Sequence, residues 1–191
     1  MWDSFIFIVD KVTADEVNGL KVLEYEEAKI KYGAALDATV GIGEPMVRKR
    51  VFEQLEKDGI NTPTLIHPDV HIPETTLIGR GVVIQYGCFV SCNVIIKDYV
   101  YVNPQCNIGH DDILFEGCMI AGFSNLAGNV KIGRFTHIGL SAAIKENVTI
   151  GDNSIVGMGS IVYRDIPDKM TVLGNPARAV ARNTDGKVFR H

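Results

Sequence analysis

From Ile66 the chain repeats an aliphatic residue at every sixth position: Ile66, Ile72, Ile78, Ile84, Val90, Ile96, Val102, Ile108, Leu114, Ile120, Leu126, Ile132, Ile138, Ile144, Ile150, Val156 and Val162, with no break. A period of six fits neither an α-helix nor an alternating strand. It suits a chain that turns a corner every six residues, with three corners closing a triangular coil. Four places after each aliphatic residue the side chain is usually small or β-branched: Thr76, Val82, Cys88, Val94, Val100, Cys106, Cys118, Ser124, Val130, Thr136, Ala142, Val148, Ser154 and Ser160. A narrow solenoid interior needs small inward groups at its corners and one long aliphatic residue per face. Glycine follows the aliphatic position at Gly79, Gly109, Gly133, Gly139, Gly151 and Gly157, where tight turns favour it. The chain is therefore expected to be mainly β and built as a parallel coil.

With 191 residues, 46% of them hydrophobic, and a net charge of −4, the chain can bury a sizeable core in one or two domains. Its acidity argues against nucleic acid as a partner. No apolar run approaches the length of a membrane span. The opening MWDSFIFIVD lacks a basic stretch and a small-residue cleavage site, so no secretory leader is expected and the expected compartment is the cytoplasm. Cys88, Cys106 and Cys118 fall on the small inward position and read as reduced packing residues, whereas Cys92 falls near a corner and is expected to be exposed.

Two domains are expected, 1–62 and 63–191. The first reads as an α/β fragment: a strand over Phe5 to Val9 ending at Asp10, a helix over Tyr25 to Tyr32 stopped by Gly33, and a strand over Ala38 to Ile42. The loop Gly41-Ile42-Gly43-Glu44 then leads into a helix with Pro45 at its start, Val47, Val51 and Leu55 on one face, and Gly59 at its end. Sixty residues alone would be marginal, so this unit is expected to pack on the first coils. After Val162 the chain is expected to be irregular through Gly174-Asn175-Pro176-Ala177-Arg178 and to end in a polar tail.

The candidate chemistry lies in Asn107-Ile108-Gly109-His110-Asp111-Asp112. His110 stands two places after an aliphatic position, at a corner and facing outward. Imidazole is suited to taking a proton from an attacking amine or hydroxyl near pH 7, and a neighbouring carboxylate can hold the ring in one tautomer. A surface histidine beside an acidic turn fits the same spacing.

The repeat and this segment resemble the hexapeptide-repeat acyltransferases. Within them the closest likeness is to the sugar acetyltransferases of the sialic acid O-acetyltransferase and bacillosamine-precursor N-acetyltransferase type. The match runs from about Asn107 to Ser160, through Leu126-Ala127-Gly128-Asn129-Val130-Lys131-Ile132-Gly133, and resumes at Gly174-Asn175-Pro176-Ala177-Arg178. The resemblance implies a left-handed parallel β-helix behind a small Rossmann-like domain, a homotrimer, acetyl-CoA as co-substrate without a metal, and an amine or hydroxyl of a nucleotide-linked sugar as acceptor. It also implies His110 as general base and Asp111 as its orienting partner. Met119, Gly128, Gly139, Leu140, Gly157 and Met158 would line a CoA groove between two prisms, with the Gly128 N–H near the thioester oxygen and Arg178 near a CoA phosphate. Asp10, Gly43 and Glu44 are the candidates for contact with the acceptor.

The chain departs from that pattern in three places. Met119 stands where relatives often carry a second histidine. Asp112 takes a small inward position that relatives often fill with cysteine, so its carboxylate must be hydrogen-bonded, protonated or turned outward. The chain also opens at what looks like the relatives' second strand, without their Gly-rich first turn, so the N-terminal domain reads as truncated. Two other functions fit the repeat: a non-catalytic trimeric scaffold, and a zinc enzyme of the γ-carbonic anhydrase kind. The second needs three convergent histidines, whereas His110 and His137 occupy different phases of the repeat and His67 and His71 lie at its start.

Overall fold

A computed structural model describes residues 2–189. The six-residue period becomes a three-sided prism of short parallel strands. They begin with β4 (Leu65–Ile66) and β5 (Leu77–Ile78) and then recur every six residues, from β6 (Val83–Ile84) to β19 (Ile161–Val162). Strands eighteen residues apart stack on one face, so Ile96 lies beside Leu114, Leu114 beside Ile132 and Ile132 beside Ile150. The aliphatic ladder fills the interior. It is fully buried from Ile84 onward, while Ile66, Ile72 and Ile78 at the open end are half-buried. Burial of each such side chain contributes roughly 1.5–3 kcal/mol, which offsets the cost of ordering strands only two residues long.

Polar groups at the inward corners are satisfied by the next coil. Thr64, Thr76, Ser124 and Thr136 donate their hydroxyls to the carbonyls of Gly79, Ser91, Gly139 and Gly151, each fifteen residues on. The Thr64 and Thr136 hydroxyls also accept the N–H of Val82 and Ser154, eighteen residues on. Cys88, Cys106 and Cys118 are buried free thiols and Cys92 is exposed.

The N-terminal unit contains β1 (Phe7–Val9), β2 (Glu16–Val17), β3 (Leu20–Glu24), α1 (Tyr25–Tyr32) and α2 (Pro45–Lys57). β1 and β3 pair in parallel and β2 joins β3 antiparallel. The first expected strand is thus shorter than Phe5 to Val9, and β2 and β3 were not anticipated. No strand forms over Ala38 to Ile42: the segment makes an isolated bridge at Asp37–Asn61 and an Ala38 N–H bond to the Asn61 carbonyl, because it has one neighbour and no sheet to enter. In α2 the fully buried positions are Pro45, Arg48, Phe52 and Leu55, so the stripe facing the prism is rotated from the expected Val47, Val51 and Leu55, and both valines are half-buried.

This unit docks on one corner of the prism. The Phe52 and Tyr99 rings stack with centroids 4.0 Å apart, and Tyr99 also bonds Glu56, which pairs with Arg80. Beyond the ladder the chain is more regular than expected. β20 (Met170–Leu173) extends the sheet beside β18 (Ile155–Val156), and β21 (Arg178–Arg182) folds back antiparallel on β20. The tail then returns to the N-terminal unit, where the Val188 and Phe189 N–H groups donate to the Glu44 carboxylate.

Candidate active site

His110 and Asp111 form the tip of the corner between β10 (Asn107–Ile108) and β11 (Ile113–Leu114). Asp111 has φ +61°, a left-handed conformation that Asp and Asn tolerate better than most residues. The same corner in neighbouring coils carries Asn93, Asn129 and Asn147, all at positive φ. The turn throws both side chains outward, and about half or more of each is exposed.

His110 Nδ1 lies 2.7 Å from Asp111 Oδ2. A carboxylate accepts from the Nδ1–H tautomer, which leaves the Nε2 lone pair free to take a proton. The other oxygen, Asp111 Oδ1, accepts from Asn93 Nδ2 at 3.0 Å. These two hydrogen bonds, that of His110 first, hold the Asp111 carboxyl below the usual carboxylate range. Asp111 therefore stays ionised and orients the ring. Asn93 was not anticipated: it lies eighteen residues before Asp111, and that spacing was the available signal.

The His110 ring lies over the next coil's corner. A Cβ built on Gly128 would stand 2.4 Å from both His110 Cε1 and Nε2. Only glycine leaves that space, and the Asn129 N–H to His110 carbonyl bond (2.8 Å) holds the two corners together. His110 and Gly128 are thus adjacent in space although eighteen residues apart in sequence.

Asp112 points into the prism and is fully buried. Its Oδ2 accepts the Gly109 N–H at 2.9 Å and its Oδ1 the Val130 N–H at 2.7 Å. Burial pushes the carboxyl up to about 7, against the opposite pull of those two donors.

The remaining expected site residues fall on other parts of the prism. Met119, on β12 (Met119–Ile120), pairs in register with Tyr101 and His137 on the face turned toward the N-terminal unit, and its Sδ lies 3.7 Å from Arg48 Nη1. Leu140 and Met158 stack at a different corner from His110, both exposed. Gly139 and Gly157 are needed for coil stacking, because a Cβ on Gly139 would meet the Met158 N at 2.6 Å and one on Gly157 would overlap Leu173. Arg178 is exposed on β21 and donates to its neighbour's carbonyl at Ala177. Asp10 is exposed just after β1. The Gly43–Glu44 loop is covered by the chain's own tail, with Phe189 against Gly43 and the Glu44 carboxylate holding the tail N–H groups. Within one chain, then, His110, Asp111 and Gly128 come together and the other candidates do not join them.

Two buried polar side chains were missed. Arg48 Nη2 donates to the Gly117 carbonyl at 2.5 Å, and Nη1 donates to the carbonyls of Ile42 and Gly43. Its place at 48 beside Phe52 and Leu55 on one helical face was the available signal. His137 is buried against Phe189, with its Nδ1 unpartnered, and burial lowers its pKa to about 4. Among the described residues no three His, Cys, Asp or Glu side chains converge as a metal site would require.

Comparison with known proteins agrees with this architecture. No protein-family profile matches the chain. It is 30% identical over 186 residues to GDP-perosamine N-acetyltransferase of Escherichia coli O157:H7, covering 94% of this chain and 84% of that one. The acetyltransferase domain of PglB from Neisseria gonorrhoeae FA1090, solved with acetyl coenzyme A, superposes with a TM-score of 0.88 at 32% identity, covering 94% and 87%. PerB from Caulobacter crescentus, solved with CoA and GDP-perosamine, gives 0.83 at 28% identity, covering 87% and 82%. The shared fold is the left-handed parallel β-helix, here the scaffold of an acyltransferase. The chain belongs to the hexapeptide-repeat sugar acetyltransferases. It is an enzyme, and the scaffold-only alternative is set aside.

Proposed function

We propose that this chain transfers acetyl from acetyl-CoA to the amine of a nucleotide-linked amino sugar, with His110 as general base. The observation that carries this reading is the His110 Nδ1 to Asp111 Oδ2 contact of 2.7 Å, with the same ring lying over Gly128. In this mechanism the acceptor amine attacks the thioester carbonyl while His110 Nε2 takes its proton. Asp111, itself held by Asn93, steadies the imidazolium that forms. The Gly128 N–H is the donor for the oxygen that gains charge, and the C–S bond breaks as the His110 imidazolium returns the proton to the departing sulfur, releasing CoA as its thiol.

Two of these relatives, GDP-perosamine N-acetyltransferase and PerB solved with GDP-perosamine, favour an amine over a hydroxyl. The separation of His110 from Leu140 and Met158 within one chain supports a homotrimer, with CoA running in a groove between neighbouring prisms. In that groove Met119, Gly139, Leu140, Gly157, Met158 and Arg178 would contact it from the adjacent copy. Asp10, Gly43 and Glu44 are proposed to meet the acceptor, which would displace the tail at Phe189. The enzyme is placed in the cytoplasm, where nucleotide-linked sugars and acetyl-CoA are both supplied.

Thiol release from acetyl-CoA, measured across nucleotide-linked amino sugars and their hydroxyl counterparts, tests the reading. His110→Ala should lower the rate about 10²–10⁴-fold with the fold unchanged. Full activity in a folded H110A protein would sink the mechanism.

A further inference from the structure

The prism's hydrogen-bond ladder is interrupted at one place on the face that carries His110. In the other coils of that face, the residue after the ladder aliphatic donates its N–H across to the next coil: Ser91 to the Ile108 carbonyl, Ala127 to Ile144 and Lys145 to Val162. The matching donor in the His110 coil is Gly109. Its N–H turns away to Asp112 Oδ2, and the pairing of β10 with β13 (Asn125–Leu126) keeps the Asn107–Asn125 partners but lacks Ile108–Leu126. Asp112 thus replaces a rung of the ladder.

The column in which Asp112 sits reads Thr76, Val94, Asp112, Val130 and Val148. Every one of these is buried. Valine fills the site on both sides, so packing does not call for a carboxylate there. A carboxylate costs several kcal/mol to bury without partners, and here both partners are backbone N–H groups flanking the proposed catalytic corners. Gly109 immediately precedes His110, and Val130 lies two residues after Gly128. Gly109 itself lies directly beneath the Ala127–Gly128 peptide, where a Cβ would stand 2.3 Å from the Ala127 oxygen and 2.8 Å from the Gly128 N.

We propose that Asp112 is a positioning residue: by taking the N–H groups of Gly109 and Val130 with one carboxylate, it clamps the corner that carries His110 to the corner that carries Gly128. The clamp sets where the base stands relative to the oxyanion donor. This rests on the acetyl-transfer reading above. Without Asp112 the Gly109 N–H would return to the Leu126 carbonyl, as in the neighbouring coils, and His110 would move with it. The titratable groups that act on Asp112 are His110 and Asp111 on its own turn. Burial pushes its carboxyl up to about 7, while the Gly109 and Val130 N–H groups pull the other way.

Asp112→Val tests the clamp, because valine is the residue the adjacent coils place in this column. The variant should fold with an unchanged or raised thermal midpoint. Its kcat should fall about 10–100-fold with the KM for acetyl-CoA within about twofold, the signature of misplacement rather than lost binding. A crystal structure of D112V should show Gly109 paired with Leu126. Asp112→Asn, which keeps one acceptor oxygen, should fall between the two. A folded D112V enzyme with parental kcat overturns the clamp. Should D112V not fold, D112N with parental kcat overturns it equally. Loss of activity in H110A alongside a fully active D112V sinks the clamp alone, whereas full activity in H110A sinks both proposals.

Discussion

Arg48 of α2 reaches across to the prism and donates to the Gly117 carbonyl at 2.5 Å, while its other terminal nitrogen donates to Ile42 and Gly43 at the start of its own helix. One buried cation thus joins the loop before α2 to the corner of a coil. Burial lowers its pKa, yet guanidinium keeps its charge throughout the accessible pH range. Arg48→Met would leave three carbonyls short of a charged donor. Hydrogen bonds to a charged group are worth about 1.5–3 kcal/mol each, and they share one side chain here, so a loss on the order of 2–4 kcal/mol is expected in urea unfolding. Limited proteolysis should then cut the N-terminal unit before the prism.

At the corner, Gly128→Ala should act through His110. The added methyl would stand 2.4 Å from the imidazole, so the ring must swing off its position. We expect kcat to fall on the order of 100-fold with little change in thermal midpoint, because the exposed ring can move into solvent. Steady-state kinetics beside a thermal melt checks both halves.

Asp111→Ala should lower kcat by about 10–100-fold, and Asn93→Ala by a smaller factor. Asn93 touches Asp111 alone in this group, so the double variant should cost no more than D111A. A double-mutant cycle in kcat/KM reads this directly, and additive losses would show that Asn93 acts by another route.

Acid should destabilise the fold through His137. Its pKa is lowered to about 4 by burial, from 6.5, so the imidazole is neutral in the native state and the unfolded chain takes up the proton first. The stability this provides is present above pH 6.5 and is lost as pH falls toward 4, at about 1.4 kcal/mol per unit. Asp112 works in the opposite sense: its raised carboxyl makes the native state bind a proton more readily between about 4 and 7, so its contribution falls as pH rises through that window. His137→Met should therefore flatten or reverse the acid slope of unfolding free energy between pH 6.5 and 4, and D112V should steepen it. Equal slopes in all three proteins would show that neither group titrates as its burial implies.

The ladder was legible in the sequence because its period is unlike that of any helix or single strand, and each aliphatic position from Ile84 to Val162 is buried as expected. His110 and Asp111 were legible for the same reason, since the period tells which residues stand at corners. Irregular contacts were not legible. Asp112 stood out as an acid in a small-residue column, but its two N–H partners come from three residues earlier in its own turn and from the next coil. Arg48 reads as a surface cation on a polar helix until the carbonyls it satisfies are seen. The segment from Met170 to Arg182 suggested loop because of Gly174, Asn175 and Pro176, yet these residues are the turn of a hairpin whose first strand has a sheet edge beside β18 to join. Ala38 to Ile42 has the right residues for a strand and lacks such an edge.

His110, Gly128 and the asparagine column from Asn93 to Asn147 are spaced in steps of eighteen, one full circuit of the prism. Their mutual geometry is therefore a property of the thread rather than of any loop, like marks cut at the same angle on successive turns of a screw. An insertion or deletion of one residue anywhere between Ile84 and Gly128 would rotate everything downstream to the wrong face. Removal of a whole circuit upstream of Asn93 would shorten the rod and leave the site intact. The chain's length is negotiable only in quanta, and the chemistry rides on the quantum.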